Sequence, residues 1–501
     1  MTFANAEEPG TVQISFVEEA TARPIACRLE LVGPNGRPLR LKGHLQRGPW
    51  TLIENGELVY EGKSGDYRFR VWHGPQFPSG SGGFTLEKDG QGAEVVKLPR
   101  HADLRAEGWL GGDLLAFSTP RETQRWLAAE ELDMAVCMSR NSTKLSDAEI
   151  VKDESGAIPS RNGKGTKSNE SENAAWVEQH SYIDDRVGSG LALHHWLPPA
   201  DVPAWAASCR LMQMAKQQPD THIEIQKMWA RDVPLWLATG KVDSIQLLSN
   251  HLTWDGKGGV QASEMYNPDP PRFRGARGPG RLVEYLYWQV LEAGLRIAPS
   301  AGSGFGRLDS PLGYNRVYAF VEKNLESKQW WQALREGRTF VTNGPLLRPT
   351  VNGQLPGYEF QIPDGETLEL NIGLTLTVSD PVEYLDVILN GKTLYQARLD
   401  EYARQGARIP SQSIKESGWL VIRVVTEREH SYRFATSAPY YFVVGDRPRA
   451  SRSAIELFQQ WLHQSATQIA KLDERSASGA LPFVQAASDF GQARLAEATV
   501  P

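Results

Sequence analysis

The run HIEIQK at 222–227 alternates polar and apolar residues in a way that a β-strand sorts onto two faces. Ile223 and Ile225 go to one side, and His222, Glu224 and Gln226 to the other. A His-x-Glu pair on an inner face has the side chains for general acid–base catalysis or for holding one divalent metal ion. The same pattern fits a buried, hydrogen-bonded pair that only positions its strand. His194 and His195 are adjacent, so a strand sends them to opposite faces and only one reaches an interior. His251 ends the strand-like run VDSIQLLSN. Asp232 stands just before Pro234, either as the N-cap of a helix or as a carboxylate at a strand end. Ser300, Gly302, Ser303, Gly304 and Gly306 form a small-residue loop whose amides read as an anion cradle or as a tight turn.

Several chemistries are excluded. No GxSxG elbow, HExxH pair, Walker sequence or dinucleotide fingerprint occurs. Cys27, Cys137 and Cys209 lie far apart without a CxxC pair, which rules out a disulfide framework and a thiolate zinc site. A net charge of -6 leaves no basic footprint, so nucleic acid is not an expected partner. No run nears the roughly 20 apolar residues of a membrane span, and no membrane partner is expected. The N-terminus, MTFANAEEPG, lacks an apolar signal core and reads as cytoplasmic as written. Ala4-Asn5-Ala6, followed by acidic residues, also fits the stub of a cleavage site, which would place the protein outside the cytoplasm.

A chain of 501 residues is too long for one core, and three or four packing units are expected. Residues 1–105 contain short alternating runs (TVQISFVE, IACRLELVG, YRFRVWHG, GGFTLEKDG) separated by turn signals, the pattern of a small antiparallel β-sandwich. Over 106–345 strands alternate with helices expected at 120–131, 201–217, 233–239, 280–293 and 327–336. Repeated βα units imply parallel strands closed into a barrel. A polar excursion at 142–175 interrupts the rhythm, and a second insertion at 256–279 is expected across one mouth. Strands return over 346–447 as a second sandwich, with Asn390-Gly391 as a hairpin turn. Residues 448–501 hold one amphipathic helix from about Ser451 to Leu472, then a small, polar tail expected to be partly disordered.

The segment WLGGDLLAFST at 109–119, following an all-β leader, resembles the opening of the polymerase and histidinol phosphatase (PHP) superfamily. The chain is more narrowly similar to its CehA/McbA-type metallohydrolase branch in DVPLWLATGKVDSIQLLSNH, GLRIAPSAGSGFGRLDSPLGYNRVYAF and GRTFVTNGPLLRPTVNGQLPG. The resemblance implies a distorted (β/α)7 barrel flanked by two antiparallel β-sandwiches and a C-terminal helix. It also implies metal ions at the C-terminal strand ends that activate water. The family's first motif is Asp-Leu-His-x-His; here Asp113 and Leu114 stand, but Leu115 and Phe117 occupy the histidine positions. The second motif falls at Ser139-Arg140, beside Asn141, and the late Asp-x-His element is absent where PSAGSGFG lies. Leu, Phe and Arg do not bind divalent metals as His or Asp do. Arg140 would instead offer fixed charge to an anionic ligand or tether Asp113 or Glu224.

The leading expectation is therefore a degenerate hydrolase, weak or inactive, that binds a small molecule in the old cleft. Arg140, Asn141, His195, Ser300 and Ser303 are the candidate ligand contacts. One alternative is an active hydrolase of ester, carbamate or phosphoester bonds. In it His222, Glu224 and His251 would be catalytic, and Asp113, Asp232 and His251 would hold one Zn, Mn or Fe ion. Another is an extracellular carbohydrate-binding or interaction protein that works through its sandwiches.

Overall fold

The computed structural model describes residues 9–140, 175–258, 266–322 and 326–501, and reveals a multidomain, sheet-rich α/β protein. In the N-terminal unit a three-stranded sheet faces a five-stranded one across a core that includes Ile14, Phe16, Leu29, Phe69 and Val71. One pair departs from the antiparallel expectation: Gly10–Glu18 runs parallel to Gln91–Leu98. The preceding strand, Gly80–Leu86, belongs to the other sheet, so the chain crosses over before pairing and arrives in the same direction.

Among the described residues, seven strands then form a ring: β1 (Trp109–Ala116), β2 (Met134–Arg140), β3 (Trp176–Asp184), β4 (Leu191–His194), β5 (His222–Ile225), β6 (Ser244–Leu248) and β7 (Ala298–Ala301), paired in that order. The segment after β7 returns to β1, where Phe117 N donates to Phe305 O (2.6 Å) and Gly304 N to Leu115 O (2.8 Å). The expected all-parallel order fails at β4, which is antiparallel to both neighbours. A turn at 185–190, with Gly188 at φ +84°, replaces the crossover helix that a parallel connection needs.

Among the described residues, five helices accompany the ring: α1 (Pro120–Leu127), α2 (Ser208–Ala215), α3 (Val233–Ala238), α4 (Gly278–Glu292) and α5 (Ser327–Arg335). Thr119 caps α1 by accepting from Glu122 N, with Pro120 at the first helical position. α2 is shorter than the expected 201–217, because Pro203 and the turn around it delay its start.

β8 (Arg316–Phe320) pairs antiparallel with the start of β1, and β9 (Thr339–Thr342) follows it. From β9 the same ladder continues through Phe434–Ser437 and Gly418–Thr426, so ring and C-terminal sandwich share one sheet. The short α6 (Leu399–Arg404) lies on that sandwich. α7 (Arg452–Ile469) matches the expected amphipathic helix. The tail is not disordered: Glu474–Ala496 forms α8, N-capped by Asp473. Its small residues Ala480, Ala487 and Gly491 are buried, and a Cβ on Gly491 would collide with Gln459 of α7. Close approach of the two helices at these small residues, together with Phe483 and Val484 packed against the main core, holds this segment. Asn141 and the polar stretch up to residue 174 lie outside the described residues. Among the described residues no helix is long and apolar enough to cross a membrane.

Candidate functional site

The strand parity read from HIEIQK holds. Glu224 is fully buried, and its Oε1 accepts from the hydroxyls of Ser244 (3.0 Å) and Ser300. Its Oε2 accepts from Gln246 Nε2 (2.6 Å) and meets His194 Nε2 at 3.2 Å. His222 Nε2 reaches the Ser244 hydroxyl at 2.7 Å. Burial, reinforced by the neighbouring His194, holds the His222 imidazole well below its ordinary pKa and therefore neutral at pH 7. Both imidazoles lie against Trp331 of α5, with ring centres 5.1 and 4.8 Å away. This cluster is a sealed polar layer whose principal members hydrogen-bond one another.

Of the adjacent pair, His194 joins this layer and His195 turns away. His195 has a left-handed backbone (φ +59°), and its Nε2 meets Glu178 at 2.5 Å. Burial lowers its pKa, but the Glu178 carboxylate outweighs that and leaves it raised. His195 is thus not brought to the other expected ligand contacts. Sequence parity separated the two histidines but did not tell which faced in, because that depends on the β4 register.

Asp113, in the middle of β1, is also fully buried. Its Oδ1 accepts from the amides of Leu115 (3.0 Å) and Ser303 (2.9 Å). Its Oδ2 accepts from the Ser303 hydroxyl and from Gly313 N (2.7 Å). Burial raises its pKa while these four donors pull it down. The carboxylate cross-ties β1 to the loop after β7. That loop is a tight turn, not an anion cradle: Gly302 N, Ser303 N, Gly304 N and Phe305 N all donate within the protein. Ser300 and Ser303, expected as ligand contacts, spend their hydroxyls on Glu224 and Asp113. Leu115 is wholly buried and abuts Gly302; Phe117 lies under the guanidinium of Arg307.

Asp232 takes the N-cap position of α3, yet its side chain makes no cap bond. Instead it accepts from Arg231 Nε (2.7 Å) and from the Ser208 hydroxyl (3.0 Å). Burial raises its pKa against the pull of Arg231. His251 follows β6, is 4% exposed, and packs edge-on to Trp229 at 5.1 Å. Neither ring nitrogen has a hydrogen-bond partner among the described residues, and burial pulls its pKa down to about 3. Asp113, Asp232 and His251 are not gathered: among the described residues no three His, Cys, Asp or Glu side chains are grouped to hold a metal ion. Arg140 ends β2, and Asn141 lies outside the described residues.

Three contributors were missed from sequence. Ser244 and Gln246 hold Glu224, and their alternation with Ile245 and Leu247 was a legible signal. Asn315 donates to the carbonyls of Ser249 and Leu252 (both 2.9 Å) and Gly302 (3.2 Å), pinning the His251 loop to the turn after β7. No local pattern marks it.

No family model matches the sequence, and no curated protein is similar to it. Among solved structures, a minor pilin of Streptococcus agalactiae is similar over 19% of this chain, at 22% identity and a TM-score of 0.17. The matched part spans 46% of the pilin, less than half its length. A β-glucuronidase of Parabacteroides merdae aligns over 85% of this chain and 62% of its own, at 10% identity and a TM-score of 0.18. The N-terminal four immunoglobulin domains of Dscam1 align over 87% of this chain and all of their own, at 9% identity and a TM-score of 0.13.

Proposed function

We propose that the protein is a degenerate relative of PHP-type metallohydrolases whose water-activating site has become a structural joint, and that it binds a small molecule at the C-terminal end of the ring. One observation carries the reading: the Asp113 carboxylate, in the position of the first motif, is saturated by Leu115, Ser303 and Gly313. A ligand carboxylate needs lone pairs directed at the metal, and here three backbone amides and a hydroxyl occupy them. Leu115 and Phe117 supply carbon where the resemblance expects imidazole. Multi-metal water activation needs several converging ligands, and among the described residues no three His, Cys, Asp or Glu side chains are grouped to supply them.

A second reading, a hydrolase with a single metal ion, is favoured by His251 alone. It is a buried strand-end imidazole with both nitrogens unpartnered among the described residues. Elemental analysis of the native protein, run beside carbamate, carboxyl-ester and phosphodiester substrates, separates the two. The first reading predicts substoichiometric Zn, Mn and Fe and rates near background. Stoichiometric metal with turnover lost in His251→Ala establishes the second.

A further inference from the structure

The loop that carries His251, residues 249–258, touches all three units of the protein. Within the ring it is held by Asn315, which caps the Ser249 and Leu252 carbonyls, and by Trp254 N donating to Ser310 Oγ (3.2 Å). Towards the N-terminal sandwich, the Trp254 indole is one wall of an aromatic cage. It stands edge-on to Trp50 (6.0 Å, 87°) and to Trp72 (5.9 Å, 87°). The Arg28 guanidinium fills that cage, 4.7 Å from the Trp50 ring, 4.7 Å from Trp72 and 4.9 Å from Trp254. Arg28 is buried and reaches through to Glu130 of the ring, Nε to Oε1 at 2.7 Å. Towards the C-terminal sandwich, Gly256 has φ +72° and lies so near the His430 carbonyl that a Cβ would collide with it.

We infer that the N-terminal sandwich is a conformational effector of the His251 loop, acting through the Arg28 cage. The cation–π contact is desolvated, and Arg28 Nε is tied to Glu130 Oε1, so one buried guanidinium links the three indoles to the ring. Tilting the sandwich displaces Trp50 and Trp72 and opens the wall made by Trp254. Trp254 is three residues from His251 in a loop already clamped by Asn315. A ligand or partner that shifts the sandwich therefore shifts the His251 loop, and binding at His251 shifts the sandwich by the same coupling free energy. This inference does not depend on what the ring binds.

Hydrogen exchange on the full-length protein tests it, with substitutions placed in the sandwich rather than in the loop. Trp72→Leu opens the cage from the far side, and Trp72→Phe keeps a ring there. In Trp72→Leu, amides of the 249–258 loop, among them the hydrogen-bonded Leu252 and Gly256, are expected to exchange about tenfold faster than wild type, with Trp72→Phe between. The Gly418–Thr426 strand of the C-terminal sandwich is expected to keep its protection, which separates coupling from global loss of stability. Faster exchange confined to the N-terminal strands, with the 249–258 loop at the wild-type rate in both variants, overturns the inference. So does a uniform rise across all three units in the mild Trp72→Phe variant.

Discussion

Acid should unfold this protein partly through His251, and the size of the effect follows from its burial. The imidazole has an ordinary pKa of 6.5 in the unfolded chain and about 3 in the fold, because burial excludes its charged form. Below pH 6.5 the unfolded chain takes up a proton that the native state refuses. The contribution of His251 is therefore fully present above pH 6.5 and is lost progressively as pH falls towards 3. Between pH 7 and pH 5 the loss from this one group amounts to about 2 kcal/mol. For a ring-sized cooperative unit that corresponds to a fall of about 4–8 °C in melting temperature. His251→Phe keeps an aromatic ring against Trp229 and removes the titration. Melting scans at pH 7 and pH 5 should show the variant losing about 2 kcal/mol less than wild type over that interval. Equal acid sensitivity in the two proteins would refute the reasoning, since it would mean that His251 is charged or satisfied in the native state.

Other outcomes follow from the same geometry. Asp113→Ala orphans the buried amides of Leu115, Ser303 and Gly313, and should cost about 3–5 kcal/mol in urea denaturation; a loss under 1 kcal/mol would contradict the cross-tie. Gly302→Ala places a methyl group into Leu115 and should lower stability by about 1–3 kcal/mol, whereas Gly391→Ala, whose Cβ would meet nothing, pays only for its positive φ. Arg423 lies between Glu284 (2.5 Å) and Asp386 (2.6 Å), joining α4 to the C-terminal sandwich. Arg423→Leu strands two buried carboxylates and should destabilise that junction by about 3–5 kcal/mol, read as earlier proteolysis between the ring and the sandwich.

Much of the fold was legible because periodicity is a local property. Strands with strict alternation, such as 222–227, put His222 and Glu224 on the inner face as read, and α1, α3, α4 and α5 begin within a few residues of their expected starts. The misreadings share a cause: they concern distant pairing. The direction of β4 depends on a short turn, and which of His194 and His195 faces inward depends on the register of that same strand. The order of α8 depends on a neighbouring helix that accepts its small residues. At the site, the residue types were visible, but their satisfaction was not. Nothing near Asp113 in sequence announces Ser303 and Gly313, 190 and 200 residues away, as its donors. Those distant donors make Asp113, which the resemblance would cast as a ligand, a cross-tie.

The central proposal is that Asp113, Leu115 and Phe117, where the resemblance expects metal ligands, bear structure instead of metal. Elemental analysis of protein purified without chelator, with Zn, Mn and Fe measured per chain, tests it most directly. The account predicts well under one equivalent of each, and a melting temperature that EDTA leaves unchanged. One full equivalent of any of them, lost together with thermal stability in Asp113→Asn or His251→Ala, would contradict it.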